Sequence, residues 1–133
     1  MTLHLLDTNI VSHIVRQDQP MVLRRLLEIA VNDVAISAVT KGELFFGLAR
    51  RKPSSSLAQA IKNTLETLAV LPWTGTTAEI YGDLKASCMS RGIGLDPLDM
   101  MIAAHALALN ATLVTRDKAF MQIADVVKVK NWA

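Results

Sequence analysis

Apolar residues come in short runs, and between them apolar residues recur at helical spacing. Residues 3–6 form such a run and stop at Asp7-Thr8-Asn9, which predicts a buried strand, a polar turn and then a helix carrying Ile10, Val11, Ile14 and Val15. Pro20 suits the first turn of a second helix with Val22, Leu23, Leu26, Leu27 and Ala30 on one face. Asn32-Asp33 marks a turn before a second short strand, Val34–Ser37.

Thr40 followed by Glu43 has the spacing of a capping box, so a helix is predicted to start at Thr40 and run into Arg50-Arg51-Lys52, a basic stretch favourable at a helix C-terminus. After Pro53 and three serines come a helix over about 57–68, a third strand at Val70-Leu71 and a long amphipathic helix over 74–91 that Gly92 and Gly94 stop. Asp96-Pro97 opens a strongly apolar helix ending near Asn110. Residues 111–114 read as a strand, Thr115-Arg116-Asp117 as a turn, Lys118–Ile123 as a short helix and residues 126–129 as a last strand.

Short strands alternating with helices imply an α/β fold, a mainly parallel sheet between helices, with residues 1–133 as a single domain. Ligands of such sheets sit at the carboxyl ends of the strands. Asp7 and Asp117 both follow strands, so parallel pairing brings them to one edge.

Bulk properties narrow the field. Apolar residues make up 51% and charged residues 20% of 133 residues, a folding composition with apolar surplus for a second chain to cover. A net charge of +2 permits nucleic-acid binding without arguing for it. One cysteine, Cys88, rules out a disulfide framework or thiolate metal site and reads as a buried thiol. No signal-peptide pattern and no apolar stretch of membrane-spanning length occur, so a cytoplasmic location is expected. His4, His13 and His105 lie on apolar segments and read as packing residues.

Each prominent acid has a structural role available to it. Asp7 and Asp117 can cap helices, Glu43 can complete the capping box, and Asp99 can serve behind Asp96 at a helix start. Two features go beyond capping. Asp99 shares a face with Ile102, Ala103 and Ala106, where an uncompensated charge is costly. Gly47, one turn after Glu43, is a poor helix former that allows close approach. Gathered together, the four carboxylates repel one another unless a cation stands among them. A hard divalent ion such as Mg²⁺ takes oxygen ligands and can activate water against a phosphodiester.

Four blocks carry a more specific signal. They are Leu5-Leu6-Asp7-Thr8-Asn9, then Ile36-Ser37-Ala38-Val39-Thr40-Lys41-Gly42-Glu43-Leu44, then Asp96-Pro97-Leu98-Asp99-Met100-Met101-Ile102-Ala103-Ala104-His105-Ala106, and Ala111-Thr112-Leu113-Val114-Thr115-Arg116-Asp117. With the closing Val129-Lys130-Asn131-Trp132, they resemble the PIN-domain ribonucleases over nearly the whole chain, in particular the VapC toxins of bacterial toxin–antitoxin pairs. The resemblance implies a three-layer α/β/α fold and Mg²⁺- or Mn²⁺-dependent RNA cleavage. It implies Asp7 and Asp99 as leading metal ligands, Glu43 as a ligand or as the group orienting the attacking water, and Asp117 as the least constant member of the quartet. Asp96 is expected to cap. Asn9 and Thr115 are candidates for holding carboxylates in place.

Cations should rim such a site. Lys41, Arg50, Arg51, Lys52, Arg91, Arg116 and Lys118 are available, and Arg116 and Lys118 are the preferred phosphate contacts. Aromatic residues are 5% of the chain, which limits base stacking and favours a structured RNA such as a tRNA or rRNA. Phe45 and Phe46 are adjacent on one helix and cannot both face one core. The resemblance further implies a homodimer and a VapB-like antitoxin whose segment lies in an apolar groove. A phosphoacceptor signalling domain would need paired acids after the first strand and an Asp near mid-chain, which are lacking. A catalytically silent RNA- or protein-binding domain of the same fold is the stronger rival, although such domains tend to lose the acids kept here.

Overall fold

The computed structural model describes residues 2–133. Its sheet has five strands, β1 (His4–Leu6), β2 (Val34–Ser37), β3 (Ala69–Leu71), β4 (Thr112–Thr115) and β5 (Val129–Asn131), in the order β3-β2-β1-β4-β5. Every pairing is parallel. The helices are α1 (Thr8–Arg16), α2 (Pro20–Leu27), α3 (Ala38–Arg51), α4 (Ser55–Thr67), α5 (Gly75–Ser90) and α6 (Pro97–Ala108), with 3₁₀ turns at Val31–Asp33 and Lys118–Ile123.

Alternation along the strands divides the apolar residues between two cores. Leu5, Ala35 and Leu113 face a cluster containing Leu84 and Cys88 of α5, Ile102 and Ala106 of α6, and Phe120. Leu6, Ile36 and Val114 face the other side, against Ile10 and Val11 of α1, Val22 of α2, Leu44 of α3 and Leu65 of α4. Both faces of the sheet are covered, which makes three layers and explains why the central strands read as unbroken apolar runs. Among the described residues no helix is long and apolar enough to cross a membrane.

Several expected boundaries move. The helix expected from Thr40 starts at Ala38, because Ser37 Oγ accepts from the Val39 N–H at 3.1 Å and acts as the cap. Thr40 is instead buried in the first turn. The last strand is Val129–Asn131 rather than 126–129: the Val127 N–H still bonds to the Ile123 carbonyl in a turn, and Val127 is apolar because it plugs the core. Helix α2 ends at Leu27, short of Ala30, since Glu28 and Ile29 close tighter turns onto Arg25 and Leu26. Neither Phe45 nor Phe46 enters a core, being 41% and 63% exposed.

Candidate active site

The strand order reverses between β1 and β4, and in open α/β sheets ligands bind at such a reversal, at the carboxyl ends of the strands. Asp7 sits at this reversal. Its N–H donates to the Val114 carbonyl at 2.9 Å, one carboxylate oxygen accepts from the Ile10 N–H at 3.0 Å and caps α1, and the other accepts from the Thr115 hydroxyl. Thr115 Oγ1 in turn accepts the Asp117 N–H at 2.9 Å. The carboxylate of Asp7 is only 4% exposed and is locked in place from three directions. Burial pushes its pKa up, against the pull of the Thr115 hydroxyl and the Ile10 N–H, and the charge of Asp117 pushes it further.

Glu43 lies six residues beyond the Ser37 cap, so it is not part of a capping box. Thr8 Oγ1 donates to Glu43 Oε1 at 2.7 Å, tying the start of α1 to the middle of α3. Asp99 stands in the first turn of α6, which Asp96 caps through the Leu98 N–H. Its carboxyl is pushed up from 3.8 to about 6, first by burial and then by the charges of Asp96, Asp7, Asp117 and Glu43. Asp117 caps the following 3₁₀ turn through the Ala119 N–H and is exposed. The capping roles foreseen for Asp7, Asp96 and Asp117 are therefore real, and Asp7 and Asp117 hold them while contributing charge to the site.

The expected supporting residues divide. Thr115 bonds Asp7 and Asp117 together. Asn9 turns its side chain to solvent, and only its backbone N–H faces Asp7. Thr8 was not anticipated, because its contact with Glu43 joins positions 35 residues apart. Lys118 is exposed beside Asp117, while Arg116 is half-buried with its Nε enclosed and unpartnered. His105 is buried as expected, its Nδ1 2.8 Å from Ser37 Oγ. Burial holds the ring's pKa down, against the opposing pull of the Pro72 backbone. His13 does not pack; it pairs with Asp18 at 2.8 Å near the surface.

The donor set is carboxylate oxygen throughout, the chemistry of a hard divalent cation. Among the described residues no three acidic, histidine or cysteine side chains are gathered tightly enough to grip an ion directly. A hard ion such as Mg²⁺ characteristically keeps several waters and takes only one or two carboxylates directly.

Comparison with known proteins finds relatives over nearly the whole chain. Residues 4–126 match the PIN domain. The chain is 29% identical over 132 residues to ribonuclease VapC2 of Rickettsia felis, covering 98% of each protein. It is 30% identical over 135 residues to toxin FitB of Neisseria gonorrhoeae, covering 96% of this chain and 97% of that one. Among solved structures, VapBC2 from Rickettsia felis bound to a DNA fragment from its promoter aligns with a TM-score of 0.88 at 25% identity, over 99% of this chain and all of that one. With the match running from the first strand to the turn before the last, the chain belongs to the PIN-domain family.

Proposed function

We propose that this chain, acting as one catalytic domain over residues 1–133, is a metal-dependent endoribonuclease and the toxin of a toxin–antitoxin pair. On this reading it works in the cytoplasm as a homodimer held inactive by a VapB-like antitoxin, and it inhibits translation by cutting a structured RNA such as a tRNA or rRNA. The observation that carries the reading is that the charges of Asp7, Glu43 and Asp117, from three other segments, reach Asp99 near the strand-order reversal. The ribonuclease and toxin names of the relatives support it. The solved VapBC2 complex of Rickettsia felis supports the antitoxin, and exposed apolar side chains such as Leu27, Met89 and Phe46 offer surface for a second chain.

Asp7 and Asp99 would hold the Mg²⁺ or Mn²⁺, with Glu43 and Asp117 adding their charge beside them. When bound, the ion neutralises charge on the phosphodiester and lowers the pKa of a coordinated water. The residues do the rest. Thr8 occupies Oε1 of Glu43, leaving Oε2 free to accept a hydrogen bond from the attacking water and align it. A bond forms from the water oxygen to phosphorus as the bond to the departing sugar oxygen breaks. Thr115 and the Ile10 N–H fix the rotamer of Asp7, so little reorganisation accompanies binding. Arg116 and Lys118 contact the phosphates nearest Asp117.

The test is incubation of a tRNA and rRNA pool with the purified chain, in Mg²⁺ or in EDTA, beside Asp99→Asn. Discrete fragments that require both the ion and Asp99 are expected. A folded, antitoxin-free chain that binds Mg²⁺ and cuts neither RNA would refute the catalytic reading in favour of a binding domain of the same fold.

A further inference from the structure

Two helical stripes lead away from the acidic site. On α1, Thr8, Ser12 and Arg16 recur every four residues; on α3, Glu43, Phe46, Gly47 and Arg50 share a face at three- and four-residue spacing, with Arg51 beside Arg50. Both stripes line one groove of about 290 Å³, walled on its far side by Leu57 and Ile61 of α4. Each begins at a residue of the candidate site and ends in arginine. Seven or eight helical residues place those arginines about 10–12 Å along the groove.

Three further features define the groove's chemistry. Among the described residues neither Arg16, Arg50 nor Arg51 has an acidic partner within ion-pair distance. Phe46 is 63% exposed, with its ring on the groove. A Cβ on Gly47 would meet nothing within 4 Å, so bare backbone widens the channel at its middle.

We infer that this groove is the track for a single-stranded stretch of RNA flanking the cleaved phosphodiester, its phosphates held by Arg16, Arg50 and Arg51 and one base stacked on Phe46. The inference rests on the ribonuclease reading and adds the substrate's conformation and path. An acidic centre repels a polyanion, so attraction has to come from cations set back from it, at about one Debye length. Guanidinium groups match phosphate geometry, and an exposed ring among them offers a base what a peptide carboxylate does not use. A single aromatic platform suits a loop strand of a folded RNA, where bases are unstacked and available.

The test measures binding of a short fluorescein-labelled oligouridylate to the full chain in EDTA, by anisotropy over a salt series. Replacing all three arginines by glutamine (R16Q/R50Q/R51Q) should weaken binding at least tenfold and flatten the log K against log salt slope by about 2, from about 0.7 per phosphate contact on a single strand. Phe46→Ala should cost about tenfold and Phe46→Trp should restore it. Gly47→Leu, which fills the groove while favouring the helix, should weaken binding as well. Lys128→Gln, at the opposite end of the strands, should change nothing. Thermal unfolding checks that each variant is folded. Unchanged affinity in the triple arginine variant and in Gly47→Leu overturns the inference, as does an oligoglutamate peptide that binds as tightly and ignores Phe46→Ala. Metal-dependent cleavage by the unaltered chain persists if only this inference fails, and is absent if the ribonuclease reading fails.

Discussion

Replacing Asp99 by asparagine removes a charge for which the fold alone supplies no partner, and should stabilise the protein in EDTA. The carboxyl rises from 3.8 to about 6 on folding, through burial and the charges of Asp96, Asp7, Asp117 and Glu43. That interval corresponds to roughly 3 kcal/mol. Solvent screening of a half-exposed group leaves about 1–2 kcal/mol of it. The sign follows from linkage: the folded state binds the proton more tightly than the unfolded chain, so the associated stability is complete below pH 3.8 and is lost as pH rises through 6. Urea denaturation of the parent and Asp99→Asn proteins in EDTA should therefore give matching midpoints near pH 4 and a variant more stable by about 1–2 kcal/mol at pH 7.5. Saturating Mg²⁺ should reverse the order, adding about 2.7 kcal/mol to the parent at a hundred times Kd and little to the variant. An Asn variant that is equal or weaker at pH 7.5 in EDTA would show that Asp99 is satisfied by the fold and is no part of a repulsive cluster.

Other substitutions separate holding from chemistry. Thr115→Val strips a donor from Asp7 and an acceptor from the Asp117 N–H, and should cost about 2 kcal/mol by urea denaturation, with Thr115→Ser recovering most of it. Thr8→Val frees Oε1 of Glu43 and should slow RNA cleavage about tenfold, equivalent to about 1.4 kcal/mol in the barrier, while stability changes by less than about 1 kcal/mol. An unchanged turnover would remove Thr8 from the orienting role. His105 titrates below its ordinary 6.5 because burial disfavours the charged ring, so its contribution is present above pH 6.5 and lost as pH falls through the lowered value. His105→Gln should accordingly narrow the stability difference between pH 7.5 and pH 5, and a difference as wide as the parent's would contradict the assignment.

Local patterning carried much of the fold. Strands buried on both faces announce themselves as short apolar runs, and the acids after the first and fourth strands pointed to a common edge before any pairing was known. Asp99 was also legible, as a charge on an otherwise apolar helix face. The misreadings share a cause, which is that tertiary contacts chose between locally equivalent options. Ser37 and Thr40 are both hydroxyl residues ahead of an apolar stretch, and the buried hydrogen bond between Ser37 and His105 favours the earlier one as cap. Val126-Val127 has strand composition, yet the core needed Val127 as a plug and β4 took Val129–Asn131 as its edge partner. Thr8 and the groove were invisible because they exist only once α1, α3 and α4 are packed together.

The placement of β4 beside β1 also sets when the site can exist. Strand β1 occupies the centre of the sheet, and its neighbour on one side is not made until residues 112–115 emerge. The hydroxyl that locks Asp7 comes from a position 108 residues later in the chain, and Asp117 follows it by two. Long-range parallel pairing is slow to form, and a chain growing at about 5–20 residues per second reaches this one several seconds after β1 is made. A nascent chain that lacks β4 therefore carries separated acids and an open edge on β1, so competence waits on residues 112–117.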